Sequence, residues 1–330
     1  MNAPRTALKR ALAGAIALGL AAGLSATASA QAFPSKPIRI VVPFAAGGSV
    51  DALGRLISPK MTEALGQPVL VENRPGAGAT IGADAVAKAA PDGHAVLLIP
   101  NALAIMPALF RKLPFDAAKD FAPVTQLVAT ELILVGGPKL QANTLKEMIT
   151  VAKARPGSLN FGSTGVANPL HLTMEMLKVA AGIDVVPIPY KGDAPLNTAL
   201  LSGEVELAVL PLAAAQALVR AGKLKALAMT SVKRSQALPN VPTIAENGFA
   251  GFDSTSWQSL FTTAGTPRDV VQRLYVESVK ALNAPDVREK LPALGQEAVG
   301  STPAEFEARY KGDIERFARI VREAKIPPQD

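Results

Sequence analysis

Ile38-Arg39-Ile40-Val41-Val42-Pro43-Phe44-Ala45-Ala46-Gly47-Gly48-Ser49-Val50-Asp51 is the stretch that sets the fold class. A β-branched run ends at a proline and two glycines follow. The segment after them places Leu53, Leu56, Ile57, Met61 and Leu65 at helical spacing. Apolar residues at i, i+3, i+4 and i+7 mark one face of a helix. The stretch therefore reads as buried strand, tight turn and amphipathic helix. The pattern continues outward: Val69 to Glu72 reads as a strand, Thr80 to Ala90 as a small-residue helix, and Ala95 to Ile99 as a third strand. This alternation predicts a mostly parallel sheet with helices on its faces.

A second α/β series starts at Glu131-Leu132-Ile133-Leu134-Val135. Thr144 and Glu147 have capping-box spacing and open a helix to Ala154. Strands follow at Leu159 to Phe161, Val185 to Tyr190, Val205 to Leu210 and Leu224 to Met229, with helices from Pro169, Ala194 and Leu212 between them. The tail reads as helices without strands of their own. Thr266-Pro267 and Thr302-Pro303 each put Thr at a helix cap and Pro at the first helical position. Such a block needs a sheet to lie on, and it is assigned to the first domain. The expected organisation is a leader over 1–30, one lobe of 31–128 plus 253–330, and a second lobe of 129–252. Two α/β lobes joined by two crossing strands form a clamshell, and a cleft between lobes is a common ligand site.

The leader is read from Arg5, Lys9 and Arg10, the apolar run Ala11 to Leu24, and the small residues Ala28 and Ala30. These are the three parts of a secretory signal. The run is shorter than the ~20 residues a membrane span needs. A mature chain starting near Gln31 and working in the periplasm is expected, soluble once the leader is removed. The chain has no Cys and only His94 and His171, which argues against a zinc site and predicts no metal or cofactor. Beyond the leader 31 basic residues face 27 acidic ones, scattered and without a run of five. With 5 % aromatic residues, nucleic-acid binding is not expected.

Three strand-to-helix turns are candidates for ligand contact. In the first, Phe44, Ala46, Gly47, Gly48 and Ser49 lead into a helix whose first-turn amides and dipole attract an anion. The alternative is an ordinary turn capped by Ser49 or Asp51. In the second, Ser163, Thr164 and Gly165 precede Asn168 at a helix cap, with His171 one turn on; the hydroxyls either meet ligand or close the loop, and His171 either meets it or packs. In the third, Lys191 either pairs with an anion that Tyr190 flanks or is a solvated charge, and Asp193 either caps the next helix or accepts a ligand ammonium. The glycines of Pro75-Gly76-Ala77-Gly78-Ala79-Thr80-Ile81-Gly82 are spaced Gly-x-Gly-x-x-x-Gly, which is not the dinucleotide fingerprint. That loop reads as the rim of the cleft. No Gly-x-Ser-x-Gly elbow, Cys nucleophile or His-Glu-x-x-His occurs, so the chain is not read as an enzyme.

Several segments together carry a resemblance. They include Phe33-Pro34-Ser35-Lys36-Pro37-Ile38-Arg39, Val42 to Gly48, Gly66-Gln67-Pro68, Val71-Glu72-Asn73-Arg74-Pro75-Gly76-Ala77-Gly78, Asp120 to Val124, Ala237 to Thr243 and Ala264 to Pro267. In this order the chain resembles the substrate-binding receptors of tripartite tricarboxylate transporters, the Bug or TctC-like family. The resemblance implies a two-lobed type II periplasmic binding fold that closes on a small carboxylated solute. It also implies delivery to a membrane permease, with no chemistry. Carried over by position, the ligand contacts are Phe44, Ala46, Gly47, Gly48, Ser49, Ser163, Thr164, Gly165, Asn168 and His171. Gly165-Val166-Ala167-Asn168-Pro169 departs from the family's frequent Gly-Asn-Gly-Thr-Ser, and Leu210-Pro211 stands where an Asp-Asn pair is frequent. Loss of that Asp points to a ligand without an amino group. Action as a monomer is the simpler expectation. An exported hydrolase or isomerase, or a ligand sensor for a signalling partner, are the competing readings.

Overall fold

The computed structural model describes residues 33–163, 168–190 and 193–328. The leader expected over 1–30 lies outside them. The chain runs β1 (Ile38–Val42), α1 (Ser49–Leu65), β2 (Val69–Asn73), α2 (Thr80–Ala87), β3 (Ala95–Pro100), α3 (Ala102–Leu109) and β4 (Phe121–Thr130). Next come β5 (Leu132–Gly136), α4 (Leu145–Ala154), β6 (Asn160–Ser163), α5 (Pro169–Ala181), β7 (Val186–Pro189), α6 (Asp193–Ser202), β8 (Leu207–Pro211), α7 (Leu212–Arg220) and β9 (Lys225–Met229). It closes with β10 (Ser256–Thr263), α8 (Arg268–Leu282), α9 (Pro285–Lys290), β11 (Gln296–Ala298) and α10 (Pro303–Glu323).

The strands form two sheets, β11-β4-β10-β3-β1-β2 and β7-β6-β8-β5-β9. The turn after β1 sits where the sequence puts it, because Ile38, Ile40, Val41 and Val42 are buried while residues 45–49 are exposed. α1 then buries Leu53, Ile57, Met61 and Leu65, each fully buried side chain adding about 2 kcal/mol. It stops at Gly66, whose φ of 70° is left-handed and whose N–H donates to Thr62 O at 2.9 Å.

The expectations of a mostly parallel first sheet and a tail of helices without strands are corrected. β1 is parallel to β2 and β3, but β10 lies antiparallel between β3 and β4. β11 extends the sheet beyond β4. Tail helices α8 and α10 do pack on this sheet, against β4. The capping box at Thr302 forms: Thr302 Oγ1 accepts the Glu305 N–H at 3.3 Å and Glu305 Oε2 accepts the Thr302 N–H at 2.9 Å. Thr266 caps no helix. Its hydroxyl donates to Thr263 O at 2.7 Å, and α8 starts one residue after Pro267.

The chain leaves the first sheet at Thr130, enters the second at Leu132, and returns between Met229 and Ser256. Thr230 ties the two passages together, its hydroxyl donating to Ser254 O at 2.6 Å and to Leu132 O at 3.2 Å. Beside them, Trp257 Nε1 donates to the buried Asp313 Oδ2 at 2.7 Å, and Trp257, Phe261, Phe306 and Tyr310 stack into an aromatic core. The second sheet has a core on each face, one built on Leu134, Phe161 and Leu177, the other on Val135, Leu196 and Leu210. Leu172 of α5 belongs instead to the core of the first sheet, with Trp257 and Phe306. No helix among the described residues is long and apolar enough to cross a membrane.

Candidate functional site

A cleft of about 800 Å³ brings together residues of both sheets. One wall is the turn between β1 and α1, through Phe44, Ala45, Gly48, Ser49 and Val50. The rim is Pro75 to Ala79. Asn168, Pro169 and Leu170, where α5 begins, form the facing wall with Pro211 of β8. Thr130, Ser256 and Gln258 form the floor, where the chain passes between the sheets.

The first wall is a helix start whose amides are left open. Gly48 caps α1 in extended conformation (φ −78°, ψ 170°) and no side chain caps the helix. The first helical bond runs from Ala52 N to Gly48 O at 2.9 Å. The amides of Gly48, Ser49 and Val50 therefore have no acceptor among the described residues. A positive helix end with open donors favours a negative group placed there by roughly 0.3–1 kcal/mol. The rim is locked to this wall at Gly82, where a Cβ would stand 2.7 Å from Pro43 Cβ and 2.9 Å from Arg74 O. Only glycine lets α2 come that close.

The facing wall is built differently. Pro169 has no N–H, and Asn168 Oδ1 already accepts the Leu170 N–H at 2.9 Å. Its own cap thus uses up a donor that the first helix leaves open.

The floor is polar and under-satisfied. Ser256 pairs in register with Thr130, and Gln258 lies two residues on along the same strand face. Ser256 Oγ donates to Asn101 Oδ1 at 3.2 Å, and Gln258 Nε2 reaches Ser49 Oγ at 3.4 Å. Thr130 (8 % exposed) and Gln258 (4 %) leave Oγ1 and Oε1 without a partner among the described residues. Buried polar atoms of this kind are met by water or ligand in most proteins. None of the described residues lining the cleft is charged, and no cluster of metal-ligating side chains occurs among the described residues.

Residues 53–326 match the family model described as the tripartite tricarboxylate transporter family receptor. The chain belongs to that receptor family. A relative from Pseudomonas sp. (strain P51), described from the tcbD-tcbE intergenic region, is 37 % identical over 296 residues, covering 89 % of this chain and 88 % of the relative. Among solved structures, MatC from Rhodopseudomonas palustris, solved with bound malate, is similar with a TM-score of 0.76 at 32 % identity, over 88 % of this chain and 100 % of that one. A second R. palustris protein, solved with adipate, gives 0.78 at 31 % identity, over 90 % and 100 %. The two-sheet α/β architecture is that of these two neighbours, and the receptor is a solute-binding protein, not an enzyme.

Of the residues expected to touch solute in this receptor, Phe44, Gly48, Ser49 and Asn168 line the cleft. Ala46 and Gly47 are exposed in the same turn but outside the lining. Ser163 and His171 are buried beyond the lining, with Ser163 Oγ and His171 Nδ1 hydrogen-bonded at 2.9 Å. Burial, and then the Lys178 charge, hold the His171 imidazole down to about 4. Tyr190 also lies off the lining and donates to Glu204 Oε1 at 2.9 Å. Burial and Glu204 push its hydroxyl up to about 12. Thr164, Gly165 and Lys191 lie outside the described residues, as does the side chain of Asp193. The sequence reading missed the floor, because register between distant strands, not local pattern, assembles Thr130, Ser256 and Gln258.

Proposed function

We propose that this receptor binds a small carboxylate without an amino group in the cleft between its two sheets. On this reading it works in the periplasm after cleavage near Ala30, and hands the solute to the membrane permease of a tripartite transporter. Residues 31–128 with 253–330 act as one lobe and 129–252 as the other. The observation that carries the reading is the open amide set of Gly48, Ser49 and Val50, lining one cleft with Asn168 of the opposite sheet. Uncharged donors and a helix dipole hold a carboxylate without the large desolvation cost of a buried salt bridge. An ammonium group would find no acidic partner among the described lining residues, and Pro211 presents an apolar surface there. The malate and adipate bound by its structural neighbours carry carboxylates and no amine.

A solute that touches both lobes favours the closed form, since it can shift the balance only by its differential affinity for the two states. Calorimetric titration against malate, adipate, benzoate, aspartate and glutamate tests the reading. Binding of a plain carboxylate, released unchanged, is expected. Tight binding of aspartate or glutamate alone, or conversion of the ligand, overturns it.

A further inference from the structure

We propose that Asp51, held by Asn73, is the positioning residue of the anion cradle: it takes up the Gly47 amide and so assigns the carboxylate to the amides of Gly48, Ser49 and Val50. This rests on the reading of the cleft as a carboxylate site and names which of its amides do the binding.

Asp51 is the third residue of α1 and is 3 % exposed, although the turn before it is open to solvent. Its Oδ2 accepts the Gly47 N–H at 2.9 Å, and its Oδ1 accepts from Asn73 Nδ2 at 3.0 Å. The same Asn73 amide group donates to Phe44 O at 3.1 Å. Asn73 closes β2 opposite Val42, where β1 ends, and the Arg74 N–H donates to Val42 O at 2.8 Å. One buried carboxylate and one carboxamide thus fix both ends of the turn from Phe44 to Gly47.

In a capping box the acid at the third helical position accepts from the cap residue itself. Here it accepts one residue earlier, and the cap residue Gly48 keeps its N–H. Gly47 has a φ of +89°, the left-handed region that glycine enters without strain. A Cβ there would meet nothing within 4 Å, so conformation and not space calls for glycine. Arg55 Nε lies 3.1 and 3.0 Å from the two Asp51 oxygens. Burial raises the Asp51 carboxyl, but hydrogen bonds from Arg55, Gly47 and Asn73 outweigh it and hold the acid below its ordinary range. Asp51 therefore stays an acceptor at neutral pH and does not compete with the ligand for the open amides.

Amide NMR of the whole receptor during titration with adipate and malate tests this. The Gly48, Ser49 and Val50 signals should move with the bound fraction while Gly47 stays nearly fixed. Asp51→Asn should weaken binding about tenfold or more, since its NH₂ faces donors, and its Gly47 amide should become solvent-exchanging and ligand-responsive. A Gly47 signal that moves as far as the other three in the unaltered protein overturns the proposal without requiring any variant to fold. So does a folded Asp51→Asn receptor of unchanged affinity. If no amide of this turn responds to either acid although calorimetry shows binding, the placement of the carboxylate itself fails, and the proposal with it.

Discussion

Ser163 Oγ and His171 Nδ1 stand 2.9 Å apart, with both residues 4 % exposed. The pair joins the end of β6 to the first turns of α5, the helix whose start faces the cleft. Its chemistry is that of a neutral imidazole, because a charged one would be buried beside Lys178. The unfolded chain takes up this proton near 6.5 and the folded chain only near 4. Stability from this site is therefore complete above 6.5 and lost progressively as pH falls toward 4. Urea unfolding should show the native protein losing roughly 3 kcal/mol more over that window than His171→Gln, which does not titrate there. Glu175, whose carboxyl burial raises and whose Oε1 lies 3.9 Å from His171 Nε2, acts in the opposite sense.

Gly48→Val separates binding from folding. Gly48 has an ordinary extended backbone, and its added Cβ would find only Ala45 O, at 3.8 Å. The unfolding midpoint should change little. The branched side chain would stand in the cradle, so calorimetry should show adipate or malate affinity falling by about a hundredfold or more, the ~3 kcal/mol of several charge-assisted hydrogen bonds.

Gln258→Met should trade function for stability. The orphaned Oε1 is a cost to the empty fold. Replacing it with an apolar group of similar length should leave stability unchanged or raise it by about 1 kcal/mol. Solute affinity should fall about tenfold if the amide serves the ligand or its bridging water. Thermal shift with and without solute reads both effects.

Asp313→Ala should cost about 3 kcal/mol. The aspartate accepts from the Trp257 indole at 2.7 Å and pairs with Arg316 Nη2 at 2.9 Å. Its loss leaves a buried indole N–H and a partly buried guanidinium uncompensated. Trp257 is the single tryptophan of the chain, so its fluorescence follows the urea transition directly.

The sequence was most readable where burial is one-sided or complete. β1, α1 and β2 stand within a residue or two of their expected positions because β-branched runs and helical spacing both act locally. β4 and β10 were not recognised. Phe121-Ala122-Pro123-Val124-Thr125-Gln126 carries a proline and polar side chains, and Ser256, Gln258 and Ser259 interrupt β10. Tertiary register buries these polar groups, and no short window announces that. The same cause hid the cleft floor. The Gly-Gly turn was legible because glycine and helix-start signals are local, whereas the engagement of the Gly47 amide by Asp51 depends on Asn73, some twenty residues away.

α5 places Asn168 in the cleft wall and, one turn later, sets Leu172 among the core side chains of the opposite sheet. Met176, one turn further on, packs against the cores of both sheets. The helix that starts in the cleft wall thus carries apolar surface into both halves of the molecule, and a displacement of its first turn away from either half would expose part of that surface to water.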